Sequence, residues 1–169
     1  MAKLSPTRFT ISTEFEVYKS SSDLEQQDLE LLQAAQKAVE SAYAPYSHFY
    51  VGAAVLLDNG KIIIGNNQEN AAYPNGLCAE RVAIYHAGAI YPNITVKASA
   101  VTCKSKNNII NVPLSPCCGC RQTISEYENR YEQKIRIIMS GETGEVYISE
   151  SIESLLPLMF NAKYLPKKD

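Results

Sequence analysis

Gly76-Leu77-Cys78-Ala79-Glu80-Arg81 and Pro116-Cys117-Cys118-Gly119-Cys120-Arg121-Gln122 are the stretches around which the rest of the sequence can be read. The first offers a thiol with a carboxylate two residues later; the second offers two thiols in a Cys-X-X-Cys spacing. Together Cys78, Cys117 and Cys120 can hold one zinc ion, and three protein ligands leave the fourth tetrahedral position open, as in catalytic zinc sites. Glu80 would then stand where protons have to be moved. Both clusters fall where helices are expected to begin, and unpaired N–H groups and the macrodipole at a helix start favour the thiolates that zinc requires. Residues two apart on a helix point in nearly opposite directions, so Cys78 and Glu80 can serve one site only if Cys78 lies at the very end. Pro74 and Gly76 supply that ending.

Three thiolates outweigh the charge of one zinc ion, which works against acidifying a bound water. Arg81 and Arg121, each following a cluster, are the candidates for compensation, because an arginine hydrogen bond draws electron density from a thiolate. An isolated Cys-X-X-Cys serves equally well as a redox pair or as half of a structural zinc site. A structural site wants a fourth ligand, and the remaining cysteines are Cys118, between two ligands, and Cys103, in an apolar run. The two histidines, His48 and His86, read as hydrogen-bonded or surface residues.

The 169 residues suit a single domain able to bury a substantial core without disulfide staples. Sixteen basic and 18 acidic side chains leave a formal charge of -2 with no long like-charged block, which argues against a surface for nucleic-acid backbones. No run of about 18 apolar residues and no apolar leader is present, so neither membrane nor export is expected and the reading is cytoplasmic. Five cysteines, three of them between Cys117 and Cys120, point to metal or redox chemistry.

Residues 8 to 18 alternate, with Phe9, Ile11, Phe15 and Val17 on one face, and read as a strand or arm. Ser22 or Asp23 caps a helix whose stripe runs through Leu24, Leu31, Ala35, Ala38 and Ala42 and stops before Pro45. Phe49 to Leu57 is apolar on both faces, as in a central strand, and Asp58-Asn59-Gly60 turns it into Lys61 to Ile64. A helix from Cys78, a strand over Lys97 to Cys103, and a weak extension over Ile109 to Leu114 follow. Then come a helix from about Gly119 to Asn129 and strands at Lys134 to Met139 and Val146 to Ile148. Ser151 to Phe160 starts like a helix and meets Pro157. Interleaved strands and helices predict a mixed sheet between helical layers. Residues 1–22 form an N-terminal extension, an extra strand or arm, ahead of one domain over 23–169.

Zinc deaminases share a His or Cys ligand followed by X-Glu, then Pro-Cys-X-X-Cys. Cys78-Ala79-Glu80 and Pro116-Cys117-Cys118-Gly119-Cys120 match, and the sequence resembles the cytidine deaminases of free nucleosides, in their small homotetrameric, cysteine-ligated branch. Tyr43 to Ala54, Gly65 to Pro74, Ser115 to Gln122, and Leu155-Leu156-Pro157 with Phe160 extend the match over residues 24 to 160. Cys118 stands where the family usually has glycine.

The resemblance implies an α/β/α sandwich with a mixed five-stranded sheet, one Zn2+ per chain on Cys78, Cys117 and Cys120, and Glu80 as the proton carrier. It implies hydrolytic deamination of cytidine and deoxycytidine in pyrimidine salvage. Asn67 and Glu69 match residues that hold the ribose hydroxyls, and the backbone of Phe49 and Ala79 would hold the pyrimidine. Tyr73 and Phe160 resemble groups near subunit interfaces, where a homotetramer completes each site from neighbouring chains. Three rivals stand beside this reading: a deaminase of modified cytosine nucleosides such as blasticidin S, a polynucleotide editor, and a non-catalytic zinc-binding protein. The Asn67 and Glu69 pair favours ordinary nucleosides, and the acidic balance counts against the polynucleotide.

Overall fold

The computed structural model describes residues 6–165; residues 1–5 of the expected N-terminal extension and 166–169 of the expected domain lie outside that range. In chain order the elements are β1 (Glu16–Tyr18), α1 (Gln26–Val39), β2 (Phe49–Leu57), β3 (Ile62–Asn66), α2 (Ala79–Ile90), β4 (Val96–Ser105), α3 (Cys118–Tyr131), β5 (Arg136–Ser140) and β6 (Val146–Ser149). The strands form one sheet in the order β1-β6-β5-β4-β2-β3. Only β4 and β5 run parallel, with Ala98 opposite Arg136 and Val101 opposite Met139; every other neighbour is antiparallel.

Strand periodicity divides the core into two layers. Ala53, Val55, Leu57, Val101, Ile137 and Met139 face α2 and α3, meeting Ala83, Ile84, Ala87 and Ile124. Ala54, Leu56, Ala98, Ala100 and Ile138 face the other way onto Leu31, Leu32 and Ala35 of α1. The α/β/α sandwich expected from the sequence is therefore present, with six strands where five were expected. The sixth is β1, which adds to β6 by pairing Glu16 with Ile148 and Tyr18 with Val146. The alternating run before Glu16 does not pair: β6 ends at Ser149, and the Ser149 hydroxyl donates to the Ser151 carbonyl as the chain turns away.

Two glycines set how closely the helices approach. A β-carbon on Gly65 would lie 2.4 Å from the Ala83 nitrogen, so the first turns of α2 rest directly on β3. On the opposite face, one on Gly52 would lie 2.1 Å from the Ala35 carbonyl oxygen of α1.

Other sequence expectations shift locally. The Asp58-Asn59-Gly60 turn has positive φ only at Gly60 (79°) and is closed by Leu57 N–H donating to Lys61 O, which makes it a three-residue loop. Ser20 caps a 3-10 turn over Ser21–Asp23, and α1 starts later, after Glu25. Ile109 to Leu114 forms no strand: the Ile110 carbonyl is taken by the Glu142 and Thr143 N–H groups of the β5–β6 connection. The tail makes a 3-10 turn over Ile152–Leu155, capped by Ser151, in place of a longer helix.

Candidate active site

Cys78 is the N-cap of α2 and Cys117 the N-cap of α3; both have extended backbone, with their carbonyls accepting the first helical bonds from Val82 and Arg121. Cys78 thus sits at the very end of its helix, the condition the sequence set for it to work beside Glu80. Neither cap side chain accepts a backbone N–H of its own helix, so both sulfurs are free to turn toward each other. Cys78 Sγ lies 3.7 Å from Cys117 Sγ, and Cys117 Sγ lies 3.4 Å from Cys120 Sγ. Two thiolate sulfurs at about 2.3 Å from a tetrahedral zinc stand about 3.8 Å apart. All three sulfurs lie within 4.8 Å of one another, so this donor set fits a zinc ion in spacing and in chemistry.

The electrostatics of the cluster favour charge on Cys78. Its thiol is lowered to about 5, first by a hydrogen bond from Cys120, against the effect of burial, and then by Arg81, whose Nη2 stands 3.5 Å from the sulfur. The Cys120 thiol is pushed up by the same hydrogen bond and by its burial. Arg81 Nε is buried without a partner. Arg121 faces elsewhere: its Nε donates to Pro116 O (2.7 Å), Nη2 to Ser115 Oγ (2.8 Å) and Nη1 to Leu155 O (2.6 Å). Of the two arginines considered for charge compensation, only Arg81 reaches a sulfur.

Glu80 is 5% exposed, and its carboxyl is pushed above the ordinary range mainly by burial, with the charge of Cys78 adding to it. It lines a cavity of about 670 Å³ together with Cys78, Cys117 and Arg81, while Cys120 is fully buried beneath. Phe49, Asn67, Glu69, Tyr73 and Ala79 line the same cavity; Phe160 does not, and its exposed ring stacks on Tyr164. The Asn67 amide bridges β2, accepting from Val51 N (2.8 Å) and donating to Phe49 O (2.9 Å), and keeps one further donor hydrogen and one lone pair. Glu69 accepts from the N–H groups of Tyr46 and Ser47 and from the Ser47 hydroxyl, and the hydroxyl does most to hold its carboxyl below the usual range. The Tyr73 ring meets Tyr46 edge-on at 6.0 Å.

Sequence reasoning did not single out Ser47, Tyr46 or Ser115, and it gave Arg121 a different task. Ser47 and Tyr46 fall inside the noted Tyr43 to Ala54 stretch, but their contact with Glu69 spans more than twenty residues and has no local signature. Cys118 is exposed, and neither it nor Gly119 has positive φ, so this turn places no demand for glycine at position 118. Cys103 is a core thiol in β4, pushed up to about 11 by burial. Neither histidine joins the thiol cluster.

A family model for the cytidine and deoxycytidylate deaminase zinc-binding region matches residues 25–132. A cytidine deaminase of Halalkalibacterium halodurans is 38% identical over 133 residues, spanning 79% of this chain and 93% of that protein. A probable cytidine deaminase of Dictyostelium discoideum is 39% identical over 146 residues, 86% of this chain and 92% of that one. Among solved structures, the cytidine deaminase of Burkholderia pseudomallei superposes with a TM-score of 0.67 at 36% identity, over 78% of this chain and 97% of its own. The identity runs through most of the length of these relatives, and the matched region contains Cys78, Glu80, Cys117 and Cys120. Sequence, fold and site therefore agree that the chain belongs to the cytidine deaminase family, enzymes of hydrolytic deamination.

Proposed function

We propose that this enzyme hydrolyses free cytidine and deoxycytidine to uridine and deoxyuridine, releasing ammonia, in pyrimidine salvage in the cytoplasm. The observation that carries the proposal is the buried Glu80 carboxyl beside the three thiols, on a cavity whose other wall carries Asn67 and Glu69. One zinc ion per chain, held by Cys78, Cys117 and Cys120, would supply Lewis-acid activation of the water consumed.

Glu80, with its raised affinity for protons, takes a proton from that water, delivers it to N3 of the pyrimidine, and hands a second to the departing 4-amino group. Protonation at N3 makes C4 electrophilic. Arg81 offsets the negative charge of the thiolates at Cys78. Asn67 accepts from and donates to the ribose hydroxyls, while the ionised Glu69 accepts from them and repels a 5′-phosphate. Phe49 and Ala79 hold the base, and Tyr73 walls the sugar side. The exposed Tyr73 and Phe160 support a homotetramer in which neighbouring chains close each site.

Steady-state kinetics on cytidine, deoxycytidine and blasticidin S test the substrate. Turnover of the first two is expected, and turnover of blasticidin S alone would transfer the reading to modified nucleosides. Glu80→Gln should keep one zinc per chain and lower kcat by roughly 10³-fold or more. An unchanged rate would remove Glu80 from the mechanism.

A further inference from the structure

Residues 6–15 project from β1 with no secondary structure and with every side chain exposed. At about 3.3 Å per residue, a stretch of this length in strand geometry reaches about 30 Å beyond the sheet. It lies outside the region that the family model matches. Continued in the phase of β1, Phe9, Ile11, Phe15 and Val17 fall on one face and Arg8, Thr10, Ser12, Glu14 and Glu16 on the other. Phe9, 75% exposed, and Ile11 join neither buried core cluster of the described residues.

At the root of this arm the charges do not balance. Arg136 alone faces three carboxylates: Glu16 at 2.8 Å, Asp28 at 3.1 Å and Glu150. Among the described residues no second cation lies within ion-pair distance of these acids. The outer edge of β1 is also the end of the sheet, and among the described residues nothing pairs with its outward-facing backbone groups.

The arm is complementary to itself. Laid antiparallel on a second copy about Ser12, it sets Arg8 opposite Glu16, Phe9 opposite Phe15, Thr10 opposite Glu14 and Ile11 opposite Thr13. Directly opposite residues share a face, so the aromatic pairs gather on one side and the ion pairs on the other. Arg8 of the second copy arrives at Glu16, where three acids share one cation among the described residues. A shift of one residue in this register would oppose Arg8 to Phe15 or Val17 and lose the match.

We propose that residues 8–16 form an antiparallel two-stranded ribbon with residues 8–16 of a second copy of this chain, across a two-fold axis at Ser12. The occupant of the arm's open edge is the same arm. The ribbon ties two copies together at the sheet end remote from β3.

The test is a photo-cross-link. The zinc-loaded full-length chain carries p-benzoylphenylalanine at position 9, and 14N- and 15N-labelled chains are mixed, irradiated, digested and mapped by mass spectrometry. A mixed-label cross-link to the peptide containing Phe15 is expected. Arg8→Glu, which sets two acids opposite each other, should lower its yield about tenfold, and Arg8→Lys should hold it within about twofold. Cross-links confined to one chain, cross-links to the other sheet edge at Ile62–Asn66, capture of another protein only, or a yield indifferent to Arg8→Glu would each overturn the proposal.

Discussion

Gly65→Ala tests whether the approach of α2 to β3 sets the geometry of the thiol cluster. A β-carbon at position 65 would stand 2.4 Å from the Ala83 nitrogen and 2.6 Å from the Ala79 carbonyl oxygen. Ordinary contact begins at 3.4 Å, so relief requires a retreat of about 1 Å. Both clashing atoms belong to the main chain, so no side-chain rotation can supply it. Cys78 and Glu80 belong to this segment and must move with it. Overpacking of this kind costs about 1–3 kcal/mol of stability, and a displacement of about 1 Å in a reacting group costs roughly 10²-fold in rate.

Gly52→Ala is the control, because its β-carbon would meet Ala35 O at 2.1 Å and Val39 N at 2.7 Å on the opposite face. It lifts α1, which carries none of the residues lining the cavity at Glu80. Both variants should lower the midpoint of urea denaturation, while Gly65→Ala alone should lower kcat roughly 10²-fold and release zinc more readily to a chelator. If Gly65→Ala loses stability but keeps kcat within about twofold, or if Gly52→Ala loses as much rate, the helix position does not govern the site.

Further outcomes follow from other contacts. Arg81→Ala should leave zinc bound, as measured by metal analysis, yet lower kcat by about 10–100-fold through the uncompensated Cys78 thiolate. Arg121→Ala removes the donors to Pro116, Ser115 and Leu155 and should cost on the order of 2–4 kcal/mol in denaturant unfolding, with Arg121→Lys recovering only part. Glu128 is buried, and burial raises its carboxyl pKa although it accepts from Ile135 N, Ile152 N and the Ser151 hydroxyl. The folded state therefore holds this proton more tightly than the unfolded state, and the associated stability is lost as pH rises from about 4.5 through the folded value. Glu128→Gln should flatten that fall in pH-dependent unfolding; a steeper fall would reverse the sign.

The parts of the fold that could be read from the sequence are those written locally. Asn59-Gly60 between two apolar runs gives the β2–β3 hairpin, and the doubly apolar β2 reads as a central strand because both its faces are covered. The thiol cluster was legible because its ligands lie at helix starts marked by nearby breakers. Pairings between distant segments were not legible. Alternation at residues 8 to 15 looks like a strand, yet pairing depends on where β6 stops, at Ser149 in the far part of the chain. The apolar residues near Ile109 look like a strand too, but the Ile110 carbonyl is committed to Glu142 and Thr143. Arg121 reads as a partner for sulfur by its position, but its guanidinium turns back to Ser115 and Pro116 and is met by the returning tail at Leu155.

The one parallel pair in the sheet explains why a metal site can exist here at all. α2 leads by a short connection into β4, and α3 leads by another into β5, so each helix runs back along the strand it precedes. Because β4 and β5 point the same way, both helices must begin at the same end of the sheet, above the carboxyl ends of those strands. Reversing β5 alone would carry Cys117 and Cys120 to the far end and leave Cys78 by itself. The direction of one strand thus decides whether cysteines 39 residues apart become neighbours. An ion held between them would act as a clasp between two helix starts, closing a chain loop as a disulfide does, and its removal should loosen α2 from α3 before it disturbs the sheet.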